Sequence, residues 1–183
     1  MSAADYPRIH PKTAAGWRRW LRDNHDKTRG IWLVAYKAAT AKARLGYEES
    51  VPEALCYGWI DSVNRPLDHE RTILLFTPRK AGSGWSRTNK ARIARLVKEG
   101  RMQPAGRSKI GAGKRDGSWT LLDSVEALEV PDDLRKALGV DALRKFEALT
   151  PGRRKAHLRA LVTAKKPETR AKRVADIVRV VRA

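Results

Sequence analysis

Apolar side chains in residues 11–26 recur at Trp17, Trp20 and Leu21, the i, i+3, i+4 spacing that lines one side of a helix. After Gly30 the period changes. Residues 30–38 carry two interleaved sets, Ile31/Leu33/Ala35 and Trp32/Val34/Tyr36, which predict a strand covered on both faces. Residues 50–58 read as a short helix, with Ser50 and Glu53 at capping-box spacing, Pro52 in the first turn and Gly58 at the C-terminal end. Residues 59–64 and 71–77 read as two strands of a hairpin closed by Arg65–Glu70. A loop then feeds a helix over 87–99, with Ser86 as its N-cap and Gly100 as its stop. The glycine-rich segment from Met102 to Trp119 is read mainly as loop, with room for one short helix.

From Val130 onward the pattern is helical. Residues 131–139 and 141–149 form two short segments, and Thr150 with Pro151 starts a third helix. In 167–183, Ala171, Val174, Ala175, Val178 and Val181 share a face opposite Arg and Lys, which predicts that face as the buried one. The expected fold class is α+β: a small, mostly antiparallel sheet flanked by helices, followed by an all-helical C-terminal unit. The expected organisation is an α+β body over 11–120 and a helical unit over 121–183.

Charge changes the picture. The 183 residues carry 39 Lys and Arg against 20 Asp and Glu, a net charge of +19. The excess is concentrated. Residues 79–115 hold 12 basic side chains and one acid, Glu99, and residues 153–183 hold 11 basic and two acidic ones. Like charges at this density repel one another, so an anionic partner is expected, a polyanion such as nucleic acid or a phosphorylated ligand. No apolar run is long enough to cross a membrane, and the opening residues lack the apolar core of a signal peptide. With a single cysteine, these features lead to the expectation of a reducing, cytoplasmic setting.

Candidate chemistry is sparse. Cys56 has no histidine in a recognisable nucleophile signature and reads as a small buried hydrophobe. The histidines show no metal-ligand spacing, and no metal or cofactor is expected. "SKIGAGK" fails as a phosphate loop, because Ser108 and Arg115 stand where Gly and Ser or Thr are needed. Its Lys109, Lys114 and Arg115 remain candidates for meeting an anion. The stretch 76–89 places Arg79, Lys80, Ser83, Trp85, Ser86 and Asn89 just before or within the start of a helix. Free N–H groups, the helix dipole and guanidinium suit an anion there, and Trp85 could stack on a base or ring. Equally, Trp85 could only pack, and Arg79 could only pair with Asp61. Trp59 and Asp61 on the neighbouring strand complete this cluster. In the last two helices Arg159, Lys165, Lys166, Arg170, Lys172 and Arg173 form a basic face that could follow a phosphate backbone.

Several motifs occur in order: Trp17, Trp20 and Leu21, then "GIWL", "YEESVPEALCYGWIDS" and "FTPRK". They are followed by Ser83, Trp85, Ser86 and Asn89, by Gly100, Met102, Ala105 and Gly106, and by "AKKPETRAKRV". Over roughly 14–182 the chain resembles the bacterial YdeI/OmpD-associated, or bacteriocin-protection, family. That resemblance implies an association with tolerance of cationic antimicrobial peptides and bacteriocins, and it supplies no catalytic residue.

Two functions are weighed. The first is a non-enzymatic protein that binds a polyanion and is linked indirectly to peptide or envelope-stress tolerance, since a protein of +19 would repel a cationic peptide. The second is an enzyme acting on a small acidic substrate at Trp59, Asp61, Arg79 and Ser86, with Asp61 as base and Arg79 as clamp.

Overall fold

The structure is a computed structural model and describes residues 5–183. The chain divides into two compact units. The first runs up to Ser83 and resumes over Thr88–Ser118; the second comprises Gly84–Arg87 and Trp119–Ala183.

The first unit is built on a four-stranded sheet of order β1-β2-β4-β3. Its strands are β1 (Arg8–Ile9), β2 (Ile31–Tyr36), β3 (Trp59–Pro66) and β4 (Arg71–Pro78). β1 is parallel to β2, and the other pairings are antiparallel. The register of β2 on β4 sets Trp32 opposite Leu75 and Val34 opposite Ile73, so these four share one face. They form one core cluster, against which Tyr6 and Leu67 pack. Ile31 pairs with Phe76 and Leu33 with Leu74, which assigns them to the other face. There Trp17 of α1 (Ala14–Asn24) meets Phe76 at 5.4 Å between ring centres. The alternation expected of a strand covered on both faces is therefore present. The β3–β4 turn is fixed by Asp68, whose Oδ1 accepts from the backbone N–H groups of Glu70 and Arg71.

Helix α2 spans Tyr47–Cys56 and begins a turn earlier than the Ser50 cap anticipates. Glu49, not Glu53, closes the cap by accepting from the Gly46 N–H at 2.8 Å. Ser50 and Glu53 are buried, and Pro52 sits inside the helix rather than in its first turn. The apolar pull of Val51, Ala54 and Leu55 sets which side of the helix is inside, and it carries Ser50 and Glu53 with it. Gly58 ends the helix at φ 73°, as its position predicts.

Helix α3 covers Arg87–Lys98, and α4 covers Pro104–Arg115. The glycine-rich stretch thus holds one helix, longer than the short one allowed for: Gly106, Gly111 and Gly113 all lie within α4. The reason lies in packing. A Cβ on Gly106 would collide with the backbone carbonyl of Cys56, so only glycine lets α4 approach the end of α2 this closely. The Gln103 N–H bonds the Cys56 carbonyl at 3.1 Å at the same junction.

The second unit is helical: α5 (Asp123–Glu126), α6 (Asp132–Ala148), α7 (Pro151–Val162) and α8 (Pro167–Arg182). α6 is divided at Gly139, where φ is 69° and ψ is −178°, matching the two short segments expected from the sequence. Thr150 caps α7 by accepting from the Arg153 N–H. Leu134, Leu138, Phe146, Leu158, Leu161, Ile177 and Val181 are among the buried residues of its core. The buried stripe of α8 is therefore not the one expected. Ile177 and Val181 are inside, Val174 and Val178 are half-buried, and Ala171 and Ala175 are exposed. Burial favours the larger Ile177 over the two alanines and turns the helix accordingly. Residues Gly84–Arg87 join this unit through Trp85, which meets Trp119 at 5.1 Å, and through the Arg87 guanidinium, which donates to the Glu126 carbonyl at 3.0 Å.

Candidate anion-binding surfaces

The cluster proposed around the start of α3 is divided between the two units. Trp59, Asp61, Arg79, Lys80, Ser83 and Asn89 belong to the first, and Trp85 and Ser86 to the second. Trp59 is 1% exposed; its indole N–H donates to the His25 carbonyl at 3.1 Å and its ring meets Trp20 edge-on at 5.9 Å. Trp85 is 2% exposed and packs on Trp119, so its ring is held inside the helical unit and presents no face for stacking on a base. Asn89 is buried, and its Oδ1 accepts from Arg92 at 3.0 Å. The loop after β4 closes on itself: the Ser83 hydroxyl donates to the Lys80 carbonyl, and Arg79 donates to the Ser83 carbonyl at 3.2 Å. Of these eight residues only Lys80 is fully exposed.

Arg79 is itself buried, at 5% exposure. Burial pushes its guanidinium down to about 10, opposed by the nearby Asp61 carboxylate, so it remains a cation at neutral pH. Asp61 accepts from the Tyr47 hydroxyl at 2.9 Å, just before the irregularity in β3 that falls between Asp61 and Asn64. Partial burial, and then this hydrogen bond, raise the Tyr47 phenol above its ordinary value. Arg92 lies over the Tyr47 ring at 5.6 Å and forks onto both oxygens of Glu48 at 2.8 Å. Tyr47 and Glu48 open the "YEESVPEALCYGWIDS" motif, but their partner Arg92 escapes a reading by motif because it comes from another helix. Their arrangement is that of a surface brace between α2 and α3.

Cys56 is buried, and burial pushes its thiol up to about 11, which keeps it protonated and unreactive. Among the described residues no group of His, Cys, Asp and Glu is placed to hold a metal ion.

Helix α4 presents the clearest cationic face. Arg107, Ser108, Lys114 and Arg115 are exposed, and Arg107, the half-exposed Gly111, Lys114 and Arg115 follow the i, i+4, i+7, i+8 pattern of one helix side. The helix contains Arg107, Lys109, Lys114 and Arg115 and no acid. Lys109 stands apart: its aliphatic stem packs over Gly58, where a Cβ would lie 2.6 Å from its Cγ. Arg107 is absent from the residues singled out by the failed phosphate-loop motif. The helical spacing is the signal that adds it.

In the second unit many of the basic side chains act in construction. Arg170 forks onto Asp133 at 2.6 and 2.9 Å and donates to the Leu161 carbonyl. Arg173 donates to the Ala160 carbonyl, so the two arginines together satisfy the C-terminal end of α7. Arg154 does the same for Leu128, and Arg182 for Ala137 and Leu138 at the break in α6. Lys155 pairs with Glu126 and Arg179 with Asp176. Arg170 and Arg173 therefore act as structural caps and are only half-exposed. Arg159, Lys165, Lys166 and Lys172 stay exposed, together with Arg153.

Fold and surface together define a small, strongly basic α+β protein with an appended helical unit. Residues 9–109 match the family described as a domain of unknown function (DUF8412), and residues 127–183 match the bacteriocin-protection, YdeI or OmpD-associated family. The first match covers more than half of the chain, so the chain belongs to the DUF8412 family; the second match is confined to the C-terminal helices. The tryptophan-bearing motifs up to Gly106 lie in the former stretch and "AKKPETRAKRV" in the latter. No curated protein and no solved structure gave a match to the chain. No helix among the described residues is long and apolar enough to cross a membrane.

Proposed function

We propose that this protein binds a polyanion, nucleic acid or a phosphorylated polymer, through the exposed face of α4, and that any part in bacteriocin tolerance is indirect. The carrying observation is α4 itself: twelve residues with four cations and no acid, three of those cations exposed on one side with Ser108 and Gly111. A Cβ at Gly111 would meet only the flexible end of Arg115, so the backbone is open to close approach by a phosphate chain at that point. Arg153, Arg159, Lys165 and Lys166 supply further positive charge in the helical unit. A net charge of +19 disfavours capture of a cationic peptide, which is why the family's protective association is read as acting through an anionic partner.

An enzyme at Trp59, Asp61, Arg79 and Ser86 has less support. Trp59 and Arg79 are buried, Asp61 is held by Tyr47, and Ser86 belongs to the other unit.

The test is binding of a short duplex and of heparin as a function of salt. Each neutralised phosphate contributes roughly 0.9 to the slope of log K against log salt on duplex DNA, so the triple variant Arg107→Ala/Lys114→Ala/Arg115→Ala is expected to flatten the slope by roughly 2–3. An affinity that scarcely changes with salt, or a slope unchanged in the triple variant, overturns the proposal.

A further inference from the structure

The second unit carries an open groove of about 680 Å³ along α6 and α8. Its floor is apolar: Ala137, Ala171, Val174, Ala175 and Val178. Its rim carries Arg170, Arg179 and Arg182, three cations against the two carboxylates they hold or neighbour, Asp133 and Asp176. The α8 residues of the groove recur every three to four positions from Pro167 to Arg182, the length of a 16-residue helix. That is roughly 24 Å at 1.5 Å per residue. The rim arginines are held in place: Arg170 by Asp133, Arg182 by the Ala137 and Leu138 carbonyls, and Arg179 by Asp176.

We propose that this groove receives an amphipathic helix of a partner protein, its apolar stripe flanked by acidic side chains. Three features select that occupant. A channel with side chains at every turn over four turns fits a rod rather than a compact molecule. The exposed floor residues Ala171 and Ala175 are small, which lets a helix axis come within about 8–10 Å. The border stays net positive, because the three arginines exceed the two carboxylates that pair with Arg170 and Arg179, and Arg182 meets only carbonyls. This fits Glu or Asp beside a Leu or Ala stripe, the helix-in-groove mode of recognition. The same charges oppose a second copy of this chain, whose α8 would bring its own Arg170, Arg179 and Arg182 against them. No residue of α4 lines the groove, and the inference does not depend on polyanion binding there.

The experiment uses the full chain and a fluorescent 18-residue peptide with Leu at helical spacing and Glu on both flanks. Its companions are a scrambled peptide of the same composition, one with Lys in place of Glu, and vesicles of phosphatidylglycerol in phosphatidylcholine. Ala175→Trp fills the groove from an exposed position, and its circular dichroism and thermal midpoint are checked against the unsubstituted protein. Arg179→Glu, at another exposed site, serves as a second variant. The expected result is binding of the Glu peptide, at least tenfold weaker in both variants, with the scrambled and Lys peptides weaker still. Equal binding of Glu and scrambled peptides, or binding unmoved by Ala175→Trp and Arg179→Glu, overturns the proposal. So does a dimer in sedimentation that Ala175→Trp dissociates, or vesicle binding that Ala175→Trp abolishes while peptide binding stays unchanged.

Discussion

Arg101 donates to the buried carboxylate of Glu53 at 2.6 Å, while Arg18 forks onto the same carboxylate from α1. Glu53 is 1% exposed, whereas the two arginines reach solvent at their other edges. One inward acid thus ties α1, α2 and the α3–α4 connection together. Removing either arginine leaves the carboxylate one partner, and removing both strands it. Arg18→Ala and Arg101→Ala are each expected to cost about 1–2 kcal/mol, and the double variant about 3–5 kcal/mol. The double variant should therefore exceed the sum of the singles. Urea unfolding midpoints at fixed m-value check this, and strict additivity would show that the two arginines do not share the carboxylate's desolvation.

The contrast between two glycines of α4 gives a second expectation. Gly106→Ala places a methyl against the Cys56 carbonyl, where backbone cannot yield, and is expected to destabilise the protein by about 2 kcal/mol or more. Gly111→Ala meets only the end of Arg115 in a helical position and is expected to stabilise it by about 0.5–1 kcal/mol. Thermal melts of the two variants should move in opposite directions.

The same helix shows where sequence reading succeeds and where it stops. The β2 strand is legible because Ile31 to Tyr36 alternate within a single segment, and the hairpin because its turn residues lie between two such runs. α4 is obscured because its three glycines lower local helix propensity, while the one that fixes its packing, Gly106, answers to a partner, the end of α2, that local propensity cannot see. Ser50 and Glu53 match a capping box in spacing, but tertiary burial of Val51 and Leu55 moved the helix start to Tyr47. The basic segments are plain in composition. Composition does not reveal that Arg154, Arg170, Arg173 and Arg182 each bind a carbonyl, since those partners lie in other elements and turns. Trp85 illustrates the limit for a candidate site: the features that suit an aromatic to stack on a ligand equally suit packing on Trp119.

Cys56 offers a readout of the body's integrity. Its thiol is buried and pushed up to about 11, chiefly by burial and then by Glu53. Two independent barriers, access and protonation, therefore oppose alkylation in the folded state. Iodoacetamide at pH 8 is expected to label the native protein at least 100-fold more slowly than the urea-unfolded chain. Gly106→Ala, which disturbs the packing over the Cys56 carbonyl, should narrow that ratio. Labelling of the native protein at the unfolded rate would contradict the buried position of the thiol.

The helical unit should be more sensitive to acid than to base. Asp133 is held below its ordinary 3.8 chiefly by the Arg170 hydrogen bonds, and Glu126 below 4.5 chiefly by Lys155. A carboxyl with a lower pKa when folded binds fewer protons than in the unfolded chain. Its stabilisation is complete above the unfolded value and is lost as pH falls through the folded one. The contribution from these pairs is therefore constant from neutral pH down to about 5 and declines progressively below about 4.5. Hydrogen exchange of residues 132–182, corrected for the intrinsic pH dependence of exchange, is expected to show protection falling across that window. Asp133→Asn cannot titrate. It should start from lower protection at pH 7, because Arg170 loses its ionic partner, and should show a shallower decline on acidification. Parallel declines in the two proteins would assign the acid sensitivity to groups other than Asp133.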